Sequence, residues 1–394
     1  MKKFLVISIL LSITLTGFYF FKNNNNNVGE KKMPTSERVK NLIENLTLEE
    51  KIGQMLIVSY SSSYVDEDLK NAIINNKPGG FILFSENITN FENTKKFIDE
   101  IKSISDIPMF ISIDQEGGKV QRLQNLEDLN VSKIPDMLSL GKTNNETLAY
   151  EIGTLMAKEL NVFGINMNFA PVIDIIENEN SFIGNRSFGS DVDTVVKMSN
   201  SLAKGLEENN VIAVYKHFPG HGSTIEDSHY ELPVINKTKI ELKEKELVPF
   251  ENAINNGAKV IMIGHIAIPE IDENTPASLS KKIITELLKN EMNYNGLVIT
   301  DALNMKAITD NYSEKEIYEM AINAGVDLLL MPSSSSSAIK LIKESISEGI
   351  INEEHINKSV KKILTLKFDF FKNKYQNKNI LGSENHLEII NKIN

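Results

Sequence analysis

The sequence predicts an α/β fold, a single-domain (β/α)8 barrel of the TIM type, from three observations. Eight short apolar runs, typical of buried strands, alternate with stretches of helical periodicity. Five of these runs end in acidic or basic side chains. The chain has 394 residues, which is enough for one large barrel. Strands that alternate with helices predict a parallel sheet, and eight of them favour closure into a barrel.

The predicted strands and helices follow one another along most of the chain. We expect strands at residues 52–60, 80–84, 109–114, 166–174, 211–217, 259–265, 296–301 and 326–331. We expect amphipathic helices at residues 90–104, 145–160, 192–208, 239–255 and 281–292. An open, doubly wound sheet is the alternative architecture. However, the GxGxxG pattern common in such sheets is absent after the first predicted strand.

The composition is that of an ordinary globular protein with an acidic charge balance. Hydrophobic residues make up 41% of the chain and charged residues 24%, and the net charge is −11. This balance argues against nucleic-acid binding, which usually requires a basic face. The chain contains no cysteine. Disulfides, cysteine-ligated zinc, thiol catalysis and a bacterial lipoprotein anchor are therefore excluded.

The N-terminal segment differs from the rest of the chain. Lys2 and Lys3 precede an apolar stretch at residues 4–21, and asparagines occupy residues 23–27. This pattern is typical of a signal peptide or signal anchor followed by a flexible polar tether. We therefore expect an exported protein, secreted or anchored in the membrane through residues 1–27 alone. The predicted barrel domain occupies residues 34–394.

Polar side chains end five of the predicted strands. They are Asp114, Asp174, the pair Lys216 and His217, His265 and Asp301. The carboxyl ends of the strands of such a barrel form one face, and that face carries the active site. Each of these side chains alone could be a helix cap or a solvated strand end. Together they predict one polar cluster at the mouth of the barrel.

The stretch at residues 211–233, VIAVYKHFPGHGSTIEDSHYELP, has the densest set of reactive side chains. It holds three of the six histidines, and its glycines and prolines indicate a loop after a buried strand. These histidines and Asp227 could bind zinc, although their spacing does not match HExxH and the neighbouring lysine would repel a cation. Asp227 and His229 could instead form a pair in which the carboxylate orients the imidazole as a proton donor.

Two motifs carry a resemblance to a known family. Residues 216–229, KHFPGHGSTIEDSH, resemble the KHFPGHGxxxxDSH signature of glycoside hydrolase family 3 β-N-acetylhexosaminidases of the NagZ type. Residues 113–123, IDQEGGKVQRL, resemble the DQEGGRVQRL segment of the same family. Two departures are visible: Ser223 replaces a frequent aspartate, and Lys119 replaces an arginine.

The resemblance implies roles for particular residues. Asp301 follows an apolar strand at the barrel mouth and is the candidate nucleophile, in agreement with the family. His229 is implied as the acid/base, with Asp227 as its partner. The side chains implied to bind the sugar are Asp114, Arg122, Arg186, Lys216 and His217.

The resemblance further implies a retaining exo-β-N-acetylglucosaminidase that uses neither a metal ion nor a cofactor. The expected partner is a carbohydrate with terminal β-N-acetylglucosamine, from peptidoglycan fragments, and the protein is expected to be a monomer. Three alternatives stay open. They are a family 3 enzyme with β-glucosidase or xylosidase specificity, a phosphorolytic family 3 enzyme, and an inactive surface protein that only binds sugar.

Overall fold

A computed structural model describes residues 33–126, 129–178, 180–228, 230–273, 275–371 and 376–393. The predicted signal segment, residues 1–27, lies outside these residues. Within the described ranges, no helix is long and apolar enough to span a membrane. The chain divides into two units, residues 1–45 and 46–394. The described part of the first unit contains a helix, α1 (Thr35–Asn45).

The second unit is a barrel of parallel strands, as predicted. In chain order the described strands are β1 (Leu56–Val58), β2 (Gly80–Leu83), β3 (Phe110–Ile113), β4 (Gln115–Gly117), β5 (Val120–Gln121), β6 (Met167–Asn168), β7 (Ile212–Phe218), β8 (Val260–Ile263), β9 (Leu297–Thr300) and β10 (Leu329–Leu330). Eight of them pair in the order β10-β1-β2-β3-β6-β7-β8-β9. A parallel bridge between Ile299 and Leu328 joins the two ends of this sheet. Strands β4 and β5 form a separate antiparallel pair.

Helices follow the strands around the barrel. The α-helices described in the second unit are α2 (Leu48–Gln54), α3 (Glu67–Asn76), α4 (Phe91–Ile104), α5 (Met137–Lys142), α6 (Glu146–Phe163), α7 (Val192–Glu208), α8 (Lys239–Glu244), α9 (Val248–Asn255), α10 (Lys306–Thr309), α11 (Glu314–Ala324), α12 (Ser335–Ser347), α13 (Glu353–Phe370) and α14 (Glu384–Asn391). The segment Lys282–Glu291 is a π-helix.

Most predicted element positions hold, and three of the differences have a clear physical reason. Residues 52–54 belong to a helix and not to the first strand, because Thr47 and Glu50 form a capping box that starts α2. The predicted strand at residues 166–174 is regular only at β6, since Pro171 offers no backbone N–H and Val172 pairs through an isolated bridge. The predicted helix at residues 239–255 is interrupted at Lys245, which leaves the helical conformation (φ −142°, ψ −71°).

The strands are buried on both faces, as expected when helices cover a parallel sheet. All seven residues of β7 are buried, although two of them are Lys216 and His217. Burial of these two polar side chains requires partners inside the barrel mouth.

A second buried lysine lies on α13. Lys367 is fully buried, and its Nζ donates a hydrogen bond to Gln54 Oε1 at 2.8 Å. The same nitrogen lies 5.0 Å from the ring centroid of Phe110, at the start of β3. Burial lowers the pKa of Lys367 well below its ordinary value. Helix α13 is therefore fixed to the barrel through a polar group that resists being charged.

The low pKa of Lys367 gives a test of this arrangement. The unfolded chain holds a proton on this lysine that the folded chain releases, so this contribution to stability rises with pH up to the unfolded pKa of about 10.4. We expect the unfolding free energy of the wild type, relative to Lys367→Met, to increase as the pH rises towards the unfolded pKa, by at most about 1.4 kcal/mol per pH unit. Denaturant unfolding over that range measures it, with exposed Lys361→Met as the control. Parallel pH curves for the wild type and Lys367→Met would contradict the prediction.

Candidate active site

The centre of the barrel mouth is the ammonium group of Lys216. It lies 2.8 Å from Asp114 Oδ1 and 2.6 Å from Glu116 Oε1, and its side chain is 3% exposed. Asp114 directly follows β3, and Glu116 lies in β4. Burial would lower the pKa of Lys216, but the two carboxylates outweigh burial and raise it. The lysine is therefore charged and ties the end of β7 to the end of β3.

Arg186 completes this charge cluster from the segment between β6 and α7. Its Nε and Nη2 each donate to one oxygen of Glu116, both at 2.8 Å. Such a two-bond pairing fixes the plane of both groups. Burial alone would raise the pKa of Glu116, but Arg186 and Lys216 hold it well below its ordinary range. Glu116 is thus an ionised, buried member of the site.

Arg122 lies at the rim of the same cluster. Its Nη2 is 3.6 Å from Asp114 Oδ2, and its guanidinium is 5.5 Å from the centroid of the Phe84 ring. Its Nε is buried and has no hydrogen-bond partner among the described residues. The side chain as a whole is 29% exposed, so the other guanidinium nitrogens are accessible and could donate to a ligand oxygen.

His217 and His221 share one buried carboxylate, Asp174. Nδ1 of His217 lies 2.8 Å from Asp174 Oδ2, and the backbone N–H of His221 donates to Asp174 Oδ1 at 2.7 Å. Burial alone would raise the pKa of Asp174, but the two histidines lower it. Nδ1 of His217 therefore carries the proton, and its Nε2 is turned away from Asp174.

His221 itself is kept neutral. Burial first, and the neighbouring His217 second, lower the pKa of His221 to about 4. The Thr224 hydroxyl donates to the His221 carbonyl oxygen at 3.1 Å and lies 2.5 Å from Nδ1. Because a hydroxyl has one proton to donate, Nδ1 carries the ring proton. Nε2 is then the acceptor, 3.5 Å from Ser228 Oγ.

The loop after β7 is packed against the segment that follows β6. A Cβ at Gly222 would lie 1.9 Å from the Ile175 carbonyl oxygen, so only glycine allows this approach. Gly220 has φ +125°, a value that side chains rarely adopt. The backbone conformation at Gly220 and the close approach at Gly222 therefore explain why glycine occupies both positions of the PGHG pattern.

Asp301 directly follows β9 and is partly exposed at the mouth. Its backbone N–H donates to Ile263 O at 2.9 Å, and its Oδ1 accepts from Ala302 N at 2.8 Å. Burial alone would raise the pKa of Asp301, but the charges of His265 and His217 lower it. The carboxylate is therefore ionised and rigidly held.

His265, in the segment that follows β8, supports the segment that begins at Asp301. Its Nε2 donates to Ala302 O at 3.0 Å, because a carbonyl oxygen can only accept. Its Nδ1 lies 2.7 Å from Ser278 Oγ. The imidazole thus connects the segments that follow β8 and β9.

The predicted acid/base pair is only partly described. Asp227 is partly exposed, and its carbonyl oxygen accepts from Tyr230 N at 2.9 Å and Glu231 N at 3.1 Å. His229 lies outside the described residues. The Asp227–His229 contact therefore stays a prediction from sequence.

The structure thus brings together the predicted Asp114, Arg122, Arg186, Lys216 and His217 at the mouth. Sequence reasoning did not include Glu116 among the site residues. Its place in the DQEGG segment beside Asp114 was the signal that could have identified it. Across the described ranges, no group of three His, Cys, Asp or Glu side chains is arranged to hold a metal ion. Ionised carboxylates beside guanidinium and ammonium groups are suited to binding a polyhydroxylated ligand.

Glu116→Gln tests the charge cluster. Removing one partner of a buried ion pair leaves the other charges unbalanced, so we expect a loss of roughly 3 kcal/mol of stability at neutral pH. The pKa of Glu116 is lowered in the fold, so this advantage of the wild type is full above the unfolded pKa, about 4.3, and shrinks as the pH falls below it. Chemical denaturation at several pH values measures both effects, with exposed Glu388→Gln as the control. Equal stability of wild type and Glu116→Gln at neutral pH would refute it.

The sequence and the fold are similar to those of known proteins. Residues 47–366 match the family model described as Glycosyl hydrolase family 3 N terminal domain. Beta-hexosaminidase A of Pseudoalteromonas piscicida is 32% identical over 319 residues, which cover 73% of this chain and 53% of that relative. Beta-hexosaminidase of Tolumonas auensis is 34% identical over 292 residues, which cover 73% of this chain and 85% of the relative.

A solved structure also resembles the barrel. The glycoside hydrolase family 3 beta-N-acetylglucosaminidase from Paenibacillus sp. strain FPU-7 has a TM-score of 0.83 and 34% identity, covering 88% of this chain and 68% of that chain. The match spans about half the length of the Pseudoalteromonas relative and most of the Tolumonas relative. These matches confirm the family that the two motifs indicated: the chain belongs to glycosyl hydrolase family 3.

Proposed function

We propose that the protein is a retaining exo-β-N-acetylglucosaminidase that removes terminal, non-reducing β-N-acetylglucosamine from saccharides. The observation that carries the proposal is the position of Asp301: the carboxylate directly follows β9, its Oδ1 accepts from Ala302 N at 2.8 Å, and the charges of His265 and His217 lower its pKa. A carboxylate held in this way is suited to attack an anomeric carbon. The names of the relatives support the N-acetyl sugar as the substrate.

In the first step, Asp301 attacks C1 of the sugar as the bond between C1 and the glycosidic oxygen breaks. Ala302 N–H binds Oδ1, so Oδ2 is the oxygen that we expect to form the new bond. His229 donates a proton to the departing oxygen, and Asp227 stabilises the charged imidazole before transfer. The products are a free alcohol and a glycosyl ester on Asp301.

In the second step, water replaces Asp301 at C1. His229, now neutral, takes a proton from the water as its oxygen bonds to C1. The ester bond breaks, and its electrons return to the Asp301 carboxylate. Two displacements at one carbon restore the original β configuration.

The charge cluster beside Asp301 binds the terminal sugar in this proposal. The Asp114 carboxylate accepts hydrogen bonds from hydroxyl groups, and Arg122 and Lys216 donate to hydroxyl oxygens. Arg186 and His217, which the resemblance also implies to bind the sugar, complete this set of side chains. Glu116 holds Arg186 and Lys216 in place. Because these side chains are fixed by their own ion pairs, little freedom is lost when the sugar binds.

The resemblance and the N-terminal sequence together suggest the natural substrate. An exported enzyme of this kind would meet peptidoglycan-derived saccharides outside the membrane. Residues 1–27 would serve as the signal or anchor, and the barrel would act on fragments with an exposed N-acetylglucosamine.

Asp301→Asn tests the nucleophile. Loss of the attacking oxygen should reduce kcat on p-nitrophenyl β-N-acetylglucosaminide by at least about a thousandfold, because the covalent step has no substitute. Asp369→Asn, an exposed change on α13, is the matched control and should leave kcat unchanged. Wild-type turnover by Asp301→Asn would rule out the proposed mechanism.

Substrate choice tests the specificity. We expect kcat/KM for p-nitrophenyl β-N-acetylglucosaminide to exceed that for the β-glucoside by roughly a hundredfold or more, because a site that hydrogen-bonds the acetamido group rejects the analogue without it. Activity should be unchanged by EDTA, and the released sugar should be free N-acetylglucosamine with or without phosphate. Preference for the glucoside, or a sugar phosphate as the product, would favour the other family 3 activities.

A further inference from the structure

Both ends of the loop after β7 are attached to neighbouring segments. We define the acid–base loop as residues 219–236, which include Asp227 and position 229. At its first end, Glu177 N donates to Gly222 O and Phe182 N donates to Thr224 O, both at 3.2 Å. The loop is therefore joined at this end to the segment that follows β6.

The other end of the acid–base loop is attached to the segment after β8. Ala267 N donates to Pro233 O at 2.8 Å, and Ile235 N donates to Ala267 O at 2.9 Å. These bonds leave residues 225–232 as the part of the loop between its two attachments.

Lys237 lies directly after this loop, next to its attachment to the segment after β8. Its side chain reaches the segment after β6, where the other end of the loop is attached. Its Nζ contacts one oxygen of Glu177 and one oxygen of Glu246. The second oxygen of Glu177 is 2.8 Å from Lys245 Nζ. Glu177 is the same residue whose backbone holds Gly222. The side chain of Lys237 therefore connects the C-terminal end of the acid–base loop to the segment after β6, which also binds the N-terminal end of the loop.

Glu246 fixes the position of the Lys237 ammonium through their ion pair. It is 2% exposed, and a Cβ placed on Gly220 would lie 2.9 Å from the Glu246 Cβ. Its Oε2 is buried and has no hydrogen-bond partner among the described residues. The ammonium of Lys237, which contacts Oε1, therefore balances the charge of this carboxylate. A buried carboxylate is costly unless it is paired, which holds the ammonium in place.

We propose that Lys237 is a positioning residue for the reaction: bound by Glu177 and Glu246, it fixes the ends of the acid–base loop and so the reach of the proton donor. This inference rests on the proposed function, because it assigns the donor to that loop. The role does not require Lys237 to touch the substrate, because its ammonium acts on the loop through Glu177 and Glu246. Asp301 lies on a different strand end and is held by its own backbone bonds.

The choice of leaving group separates an effect on the proton donor from an effect on the nucleophile, Asp301. A poor leaving group such as methoxyphenol needs a proton as the bond to C1 breaks, whereas dinitrophenol leaves as a stable anion. A loop that holds the donor wrongly should therefore slow only the first substrate. Displacement of a catalytic group by about 1 Å can cost roughly a hundredfold in rate.

The experiment compares kcat/KM of the full chain on methoxyphenyl and dinitrophenyl β-N-acetylglucosaminides of similar size. We expect Lys237→Met to lose about tenfold to a hundredfold on the methoxyphenyl substrate and about twofold or less on the dinitrophenyl one. Lys237→Arg should recover most of the loss. Lys239→Met removes a comparable but exposed ion pair with Glu291 and should match the wild type.

Lys237→Met leaves Glu246 buried without its cation and could fail to fold. Glu177→Gln serves as the second variant, since it keeps the pair between Lys237 and Glu246 and removes the link to the segment after β6. It should show the same selective loss, several-fold on the methoxyphenyl substrate. Equal losses on both substrates, or no loss in either variant, would overturn the positioning role. A wild-type protein that cleaves neither substrate would instead reject the proposed function.

Discussion

The ammonium of Lys216, buried between the carboxylates of Asp114 and Glu116, is the interaction on which the mouth of this barrel depends. A charge in this position is tolerable only with paired partners at hydrogen-bond distance. It has two of them, and Arg186 balances the second negative charge through two further bonds to Glu116. Strand ends that are far apart in sequence are thereby fixed in one charge cluster, which gives the site its rigidity before any sugar arrives.

The same environment gives neighbouring groups different charges. Asp301 stays ionised because the charges of His265 and His217 outweigh its burial. His221 stays neutral because burial and the adjacent His217 lower its pKa. A nucleophile must be ionised, whereas the neutral imidazole of His221 keeps one nitrogen, Nε2, as an acceptor that faces Ser228. The arrangement of partners, and not the residue type alone, decides which group carries charge.

Much of this architecture could be read from the sequence because it depends on local pattern. Apolar runs located the strands, and Asp114 and Asp301 were recognisable as strand ends. The pairing of Glu116 with Arg186 could not be read, because the two residues are 70 positions apart and only the closed barrel brings them together. The break in the helix at Lys245 was missed, although Pro249, in the first turn of α9, is a signal for a new helix start. The ion pairs of Lys237 with Glu177 and Glu246 could not be predicted either. They depend on the burial of Glu246 against Gly220, which the spacing of these residues in the sequence does not indicate.

The central claim is that Asp301 forms a covalent bond to the sugar, and mass spectrometry tests it most directly. The protein would be incubated with a fluorinated dinitrophenyl N-acetylglucosaminide that slows release of the second product, then digested and analysed. The account predicts one added glycosyl mass on the peptide that contains Asp301, and none in the Asp301→Asn variant. Turnover without any trapped adduct, or an adduct on another residue, would contradict it.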